Sequence, residues 1–92
     1  MNVIYKYEIQ IADDVIVSLP ETHRITDIAE QNGKLYLWCL HEDGCPKTTF
    51  HLRMIGTGHG IPDIKELIFI QTVHMSTGLV WHLFAKNHEK LP

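Results

Sequence analysis

A chain of 92 residues, 45% hydrophobic and 21% charged, has room for one globular domain and is too apolar for a disordered segment. Its formal net charge of −3 argues against general binding to phosphate backbones, and no apolar run approaches the roughly 18–20 residues that cross a bilayer. The opening Met1-Asn2-Val3-Ile4-Tyr5-Lys6 lacks the basic-then-apolar layout of a secretion signal, and two cysteines read as reduced cytosolic thiols rather than a disulfide framework.

So short a chain buries only a little more than about 60% of its unfolded surface, so its large apolar groups serve either as a thin core or as an interface. Val3, Tyr5, Tyr7, Ile9 and Ile11 alternate with Asn2, Lys6, Glu8 and Gln10, the period of a half-buried strand, with Ile4 as the exception. Asp13-Asp14 supplies a turn, and Val15–Leu19 is a short β-branched strand stopped by Pro20. These two strands are expected to form a hairpin. Ile25–Gln31 is short for a helix, and the Asn32-Gly33 dipeptide after it is a strong type I′ hairpin signal. The segment is therefore a strand paired with Lys34–His41, with Ile28 opposite Leu37 and Asp27 opposite Trp38. One face of the second strand carries Leu35, Leu37 and Cys39, and the other carries Tyr36, Trp38 and Leu40. A strand apolar on both faces is central or covered by a partner.

Glu42-Asp43-Gly44-Cys45-Pro46 is a loop. Lys47–Ile55 alternates again, with Phe50, Leu52 and Met54 inward and Thr49, His51 and Arg53 outward. A glycine-rich loop follows from Gly56 to Asp63, with one helical turn near Asp63–Glu66. Leu67–His74 is an apolar strand, Ser76-Thr77-Gly78 turns, and Leu79–Ala85 returns. The pattern predicts an all-β single domain over residues 1–86. It is a small antiparallel sandwich or barrel of about seven strands, with a polar tail over 87–92.

Gly56, Thr57, Gly58 and His59 form the first candidate site. Consecutive amides in such a loop can make an anion nest, or the loop can be a tight corner between strands. It matches neither a dinucleotide fingerprint nor a P-loop. Tyr36 and Trp38 are the second candidate, as binding anchors or as core, and Glu42 and Asp43 are acidic groups suited to a basic groove. His74 and His82 are expected to face each other across the Gly78 turn, with His41 and His51 related similarly. No zinc-ligand spacing is present, so no metal and no cofactor is expected. Cys39 looks buried and inert, whereas Cys45 lies near His41, but a third orienting group is missing. Nothing in these residues points to an enzyme.

Ile4-Tyr5-Lys6-Tyr7-Glu8-Ile9, the Leu19-Pro20 stop, Gly33–Leu40, Gly56-Thr57-Gly58-His59-Gly60-Ile61-Pro62 and Val80-Trp81-His82-Leu83-Phe84 resemble, in order and spacing, a family of small proteins encoded by bacteriophages and prophages. The likeness spans nearly the whole chain. Gly60 stands where that family has proline, which softens the loop, and Cys39 stands where it has alanine. The resemblance supplies no catalytic residue. It implies a protein of the host bacterial cytoplasm that binds and inhibits an antiviral defence factor, such as a nucleic-acid-guided complex. The alternative is an oligomeric module that sequesters a small anionic ligand such as a nucleotide signal. A homodimer is expected in either case, because a symmetric pair can cover one face of Lys34–His41.

Overall fold

Alternating apolar rows between turn residues give the chain its strands, and the computed structural model shows seven of them among the described residues. The structure describes residues 1–86, and the tail expected over 87–92 lies outside the described residues. The strands are β1 (Asn2–Ile9), β2 (Asp14–Pro20), β3 (Arg24–Gln31), β4 (Lys34–Glu42), β5 (Lys47–Gly56), β6 (Leu67–His74) and β7 (Val80–Lys86). The helical turn is a single 3-10 turn at Ile64–Glu66.

Two antiparallel sheets, ordered β1-β4-β3 and β2-β5-β7-β6, pack as an open sandwich rather than a closed barrel. Leu35, Leu37 and Cys39 of β4 line the inner face of the first sheet with Ile9 and Ile28. Val15, Val17 and Leu19 of β2 meet them from the second sheet, with Leu52, Met54, Val73 and Leu83. Leu37, Cys39 and Leu83 have no exposed surface, and each buried leucine contributes about 1.5–3 kcal/mol.

The β3–β4 hairpin follows its local chemistry. Asn32 and Gly33 have φ of 54° and 80°, the left-handed pair of a type I′ turn. Ile28 lies opposite Leu37 and Asp27 opposite Trp38, as the turn dictates. A bulge between Ile25 and Asp27 sets Thr26 outside the ladder, and its hydroxyl donates to the Trp38 carbonyl at 3.2 Å.

Two pairings differ from expectation. β1 and β2 do not form a hairpin: β1 pairs with β4 and β2 with β5, in different sheets. The apolar row of each faces the core, so the chain turns the corner at residues 10–13 and sets the two rows across the interior from one another. The Met54 amide fixes that corner by donating to the Asp13 carbonyl at 2.9 Å. His74 and His82 do not face each other either. The Met75 amide bonds the Leu79 carbonyl at 2.8 Å, which centres the loop on Thr77 rather than Gly78. His74 then lies opposite Val80, and His82 opposite Thr72. Met75 is drawn into the core, only 8% exposed, which selects this register. His41 and His51 sit on different sheets, in β4 and β5.

On one side the sandwich is closed by side chains. The Gln71 amide of β6 reaches β3, accepting from the Ile28 N–H at 3.1 Å and donating to the Ile28 carbonyl at 2.7 Å. It also donates to the Asp27 carboxylate at 3.0 Å. Beside it, the Ser76 amide and hydroxyl both donate to Glu30, which holds that carboxyl below its ordinary range.

Candidate functional site

A β-strand sends alternate side chains to opposite faces, so the inner row of β4 fixes an outer row of Tyr36, Trp38, Leu40 and Glu42. The register sets β1 and β3 side chains beside them in three rungs. Ile4 and Arg24 flank Leu40, Lys6 and Asp27 flank Trp38, and Glu8 and Ala29 flank Tyr36. The centre of this face is apolar and its margins are charged. Ile4 is 56% exposed, while Tyr36, Trp38 and Leu40 are half-buried. The Tyr36 and Trp38 ring centroids are 6.2 Å apart. Lys6 Nζ lies 4.5 Å above the Tyr36 ring and donates to Gln31 at 2.9 Å, so the cation and the aromatic are held as one unit.

Glu42 closes the same face at the end of β4, where it pairs with the Met1 amino group. Asp43 stands beside it and accepts from the Tyr5 hydroxyl at 3.2 Å. The negative charge of Asp43, with that hydrogen bond, holds the Tyr5 phenol above its ordinary pKa. The structure thus brings Tyr36, Trp38 and Glu42 onto one face with Asp43 at its end. Sequence reasoning placed Leu40 beside Tyr36 and Trp38 but missed Ile4 and Lys6 as members of this surface. The signal was present in Ile4, which broke the alternation of its strand.

The glycine loop lies elsewhere, at the far end of β5 in the other sheet. The ten residues of β5 span roughly 33 Å between Asp43's loop and the glycines. Gly58 takes the left-handed conformation, with φ of 87°. The His59 amide donates inside the loop to the Gly56 carbonyl at 3.2 Å, and the ring packs over Gly56 instead of standing free at the tip. Thr57 Oγ1 is 2.8 Å from His82 Nε2, and the other ring nitrogen is 2.9 Å from Thr72 Oγ1. Arg53 donates twice to Asp63, at 3.1 and 2.7 Å, and once to Asp14 at 3.0 Å. The hydrogen bond from Arg53 is the main cause holding the Asp63 carboxyl below its usual range. The loop is therefore pinned at both ends. A hollow beside it, of about 340 Å³, holds Asp13 and Asp14, and the Arg53 cation there is committed to carboxylates. Such a hollow repels an anion.

A second cleft, of about 420 Å³, opens between the sheets above Leu19 and Leu52, with Ile25, Phe50, Ile68 and Ile70 on its walls. Nothing local in the sequence marks it, because both of its outer walls are strands bent by bulges. His23 stands at its rim with Nδ1 donating to the Pro20 carbonyl at 2.8 Å.

His41 is not paired with Cys45. A carbonyl only accepts, so His41 Nδ1 carries a proton and donates to the Glu42 carbonyl at 3.0 Å. Its Nε2 lies 3.1 Å from the Tyr7 hydroxyl. Cys39 is fully buried, and burial pushes its thiol pKa up. Among the described residues no three histidines, cysteines or carboxylates converge as a metal site, and no helix is long and apolar enough to cross a membrane. No curated protein and no solved structure is a match for the chain. The profile of one family matches residues 1–91, nearly the whole length, and the chain belongs to that family, described as Domain of unknown function (DUF7352).

Proposed function

We propose that this protein is a non-enzymatic binding module that works through the outer face of the β1-β4-β3 sheet. In the bacteriophage setting that the sequence resemblance implies, its partner is a host antiviral defence protein of the bacterial cytoplasm, inhibited by occlusion. One observation carries the reading: Ile4, Leu40, Trp38 and Tyr36 form an apolar centre ringed by Lys6, Arg24, Glu8, Asp27 and Glu42. Interfaces share that layout, and tryptophan, tyrosine and arginine dominate their binding energy. The charged margin steers association and fixes the orientation of docking.

The test is a plating assay on bacteria that carry a defence system, with and without the protein. The wild-type chain should raise plating. Trp38→Ala should lose this effect at unchanged melting temperature, because a central tryptophan contributes enough to cut affinity about 30-fold or more. Full protection by Trp38→Ala, or by Trp38→Ala with Leu40→Ala, would sink the assignment of this face.

A further inference from the structure

A sheet edge is a row of unpaired amides and carbonyls, and soluble proteins blunt such edges. Among the described residues this sandwich has four edge strands: β1, β3, β2 and β6. On one side the edges of β3 and β6 are joined by the Gln71 amide and bent by bulges at Ile25/Asp27 and Phe69/Gln71. β2 ends in Pro20, which has no amide to donate. Among the described residues, β1 has none of these devices. It is eight residues long, free of proline and bulge, and paired only with β4.

We propose that two copies of the chain join edge to edge through β1, antiparallel about a two-fold axis at Tyr7. Side chains directly opposite in an antiparallel pair share a face, and the two-fold axis makes each contact reciprocal. Centring on Tyr7 sets Lys6 opposite the partner's Glu8, twice by symmetry. It also sets Tyr5 opposite the partner's Ile9. Centring one residue earlier opposes Lys6 to itself, and centring on Tyr5 opposes Lys6 to Ile4, so neither register sets a carboxylate opposite Lys6. Lys6 alone would defend this edge against pairing, and the Tyr7 register is the one that turns it into a partner.

One exposed group agrees with this register. Tyr5 belongs to the core-facing row of β1, yet it is 46% exposed. Pairing with a second copy covers it. The joined sheets have six strands and merge the two outer faces around Trp38 into one surface. The inference stands whether or not that surface binds the partner proposed above.

Sedimentation over a concentration series tests it with Lys6→Glu, Glu8→Lys and the double exchange. Both side chains are exposed, Glu8 lying 4.0 Å from Lys34 and Lys6 over Tyr36 in the same chain, and circular dichroism of each variant checks that it folds. Wild type should be a dimer. Each single exchange turns two attractive contacts into two repulsive ones, so the dissociation constant should rise about 10- to 100-fold. The double exchange restores opposite charges in the same register, and should bring the constant back to within a few-fold of wild type. A wild-type monomer at every concentration overturns the proposal. So does a dimer indifferent to the single exchanges, or a double exchange no better than either single one.

Discussion

Replacing Gln71 with alanine removes three hydrogen bonds at the seam between β6 and β3, of 3.1, 2.7 and 3.0 Å. The bond to Asp27 is exposed to solvent and counts for little. The other two satisfy the backbone N–H and carbonyl of Ile28, whose side chain is only 1% exposed. Each such bond contributes about 0.5–1.5 kcal/mol, so losing the pair costs about 2 kcal/mol. At roughly 4–8 °C per kcal/mol for a domain of this size, the melting temperature should fall by about 8–16 °C. Urea unfolding should show a lower midpoint at unchanged slope, because the same surface is exposed on unfolding. Hydrogen exchange locates the effect, since the Ile28 amide should lose protection before its neighbours on β4. A fall of less than about 2 °C, with Ile28 exchange unaltered, would refute the view that this amide holds the two sheets together.

Acid should expose the carboxylates that are held low. Glu30, bonded by Ser76, and Asp63, bonded by Arg53, both titrate below their ordinary values of 4.5 and 3.8. Their stabilisation is complete above those values and is lost as pH falls through the depressed folded-state values. Ser76→Ala should therefore lower the melting temperature at neutral pH, with a loss that shrinks in acid as Glu30 becomes protonated in the folded state. An equal loss at neutral and acid pH would contradict the Glu30 linkage. Thiol titration of the folded protein should find Cys45 reactive and Cys39 silent until denaturant is added, since Cys39 has no exposed surface. Two thiols reacting at one rate would show that β4 is not buried as described.

Local chemistry in the sequence determines some of these features and leaves others open. Asn32-Gly33 demands left-handed backbone at two successive positions, and that alone sets which residues of β3 and β4 face each other. The alternation of Lys47–Ile55 likewise places Phe50, Leu52 and Met54 inward. The routes of β1 and β2 were not legible, because a strand's partner depends on which distant row offers better burial. Nor was the loop before β7, where a single methionine entering the core moved the centre of the turn by one residue. Bulges add one residue to a strand without any local signal, so the cleft walled by Ile25, Ile68 and Ile70 was hidden. The polar Gln71 inside an apolar strand was a clue to the seam. For the candidate surface, Tyr36, Trp38 and Glu42 could be placed on one face by counting along β4, but their neighbours from β1 required the pairing itself.

The corner at residues 10–13 also shapes the order in which this chain can become structured during synthesis. β1 finds its ladder only when β4 has emerged, and β2 only when β5 has. Until then the first twenty residues hold two apolar rows with no neighbour to shelter them. The hairpins β3–β4 and β6–β7 close over short loops and carry little entropic cost, so they assemble early. β1 can then dock onto β4, whereas β2 waits for β5. Nascent chains stalled after β4 but before β5 is complete should therefore be sensitive to proteolysis across Asp14–Pro20 and protected around Asn32-Gly33.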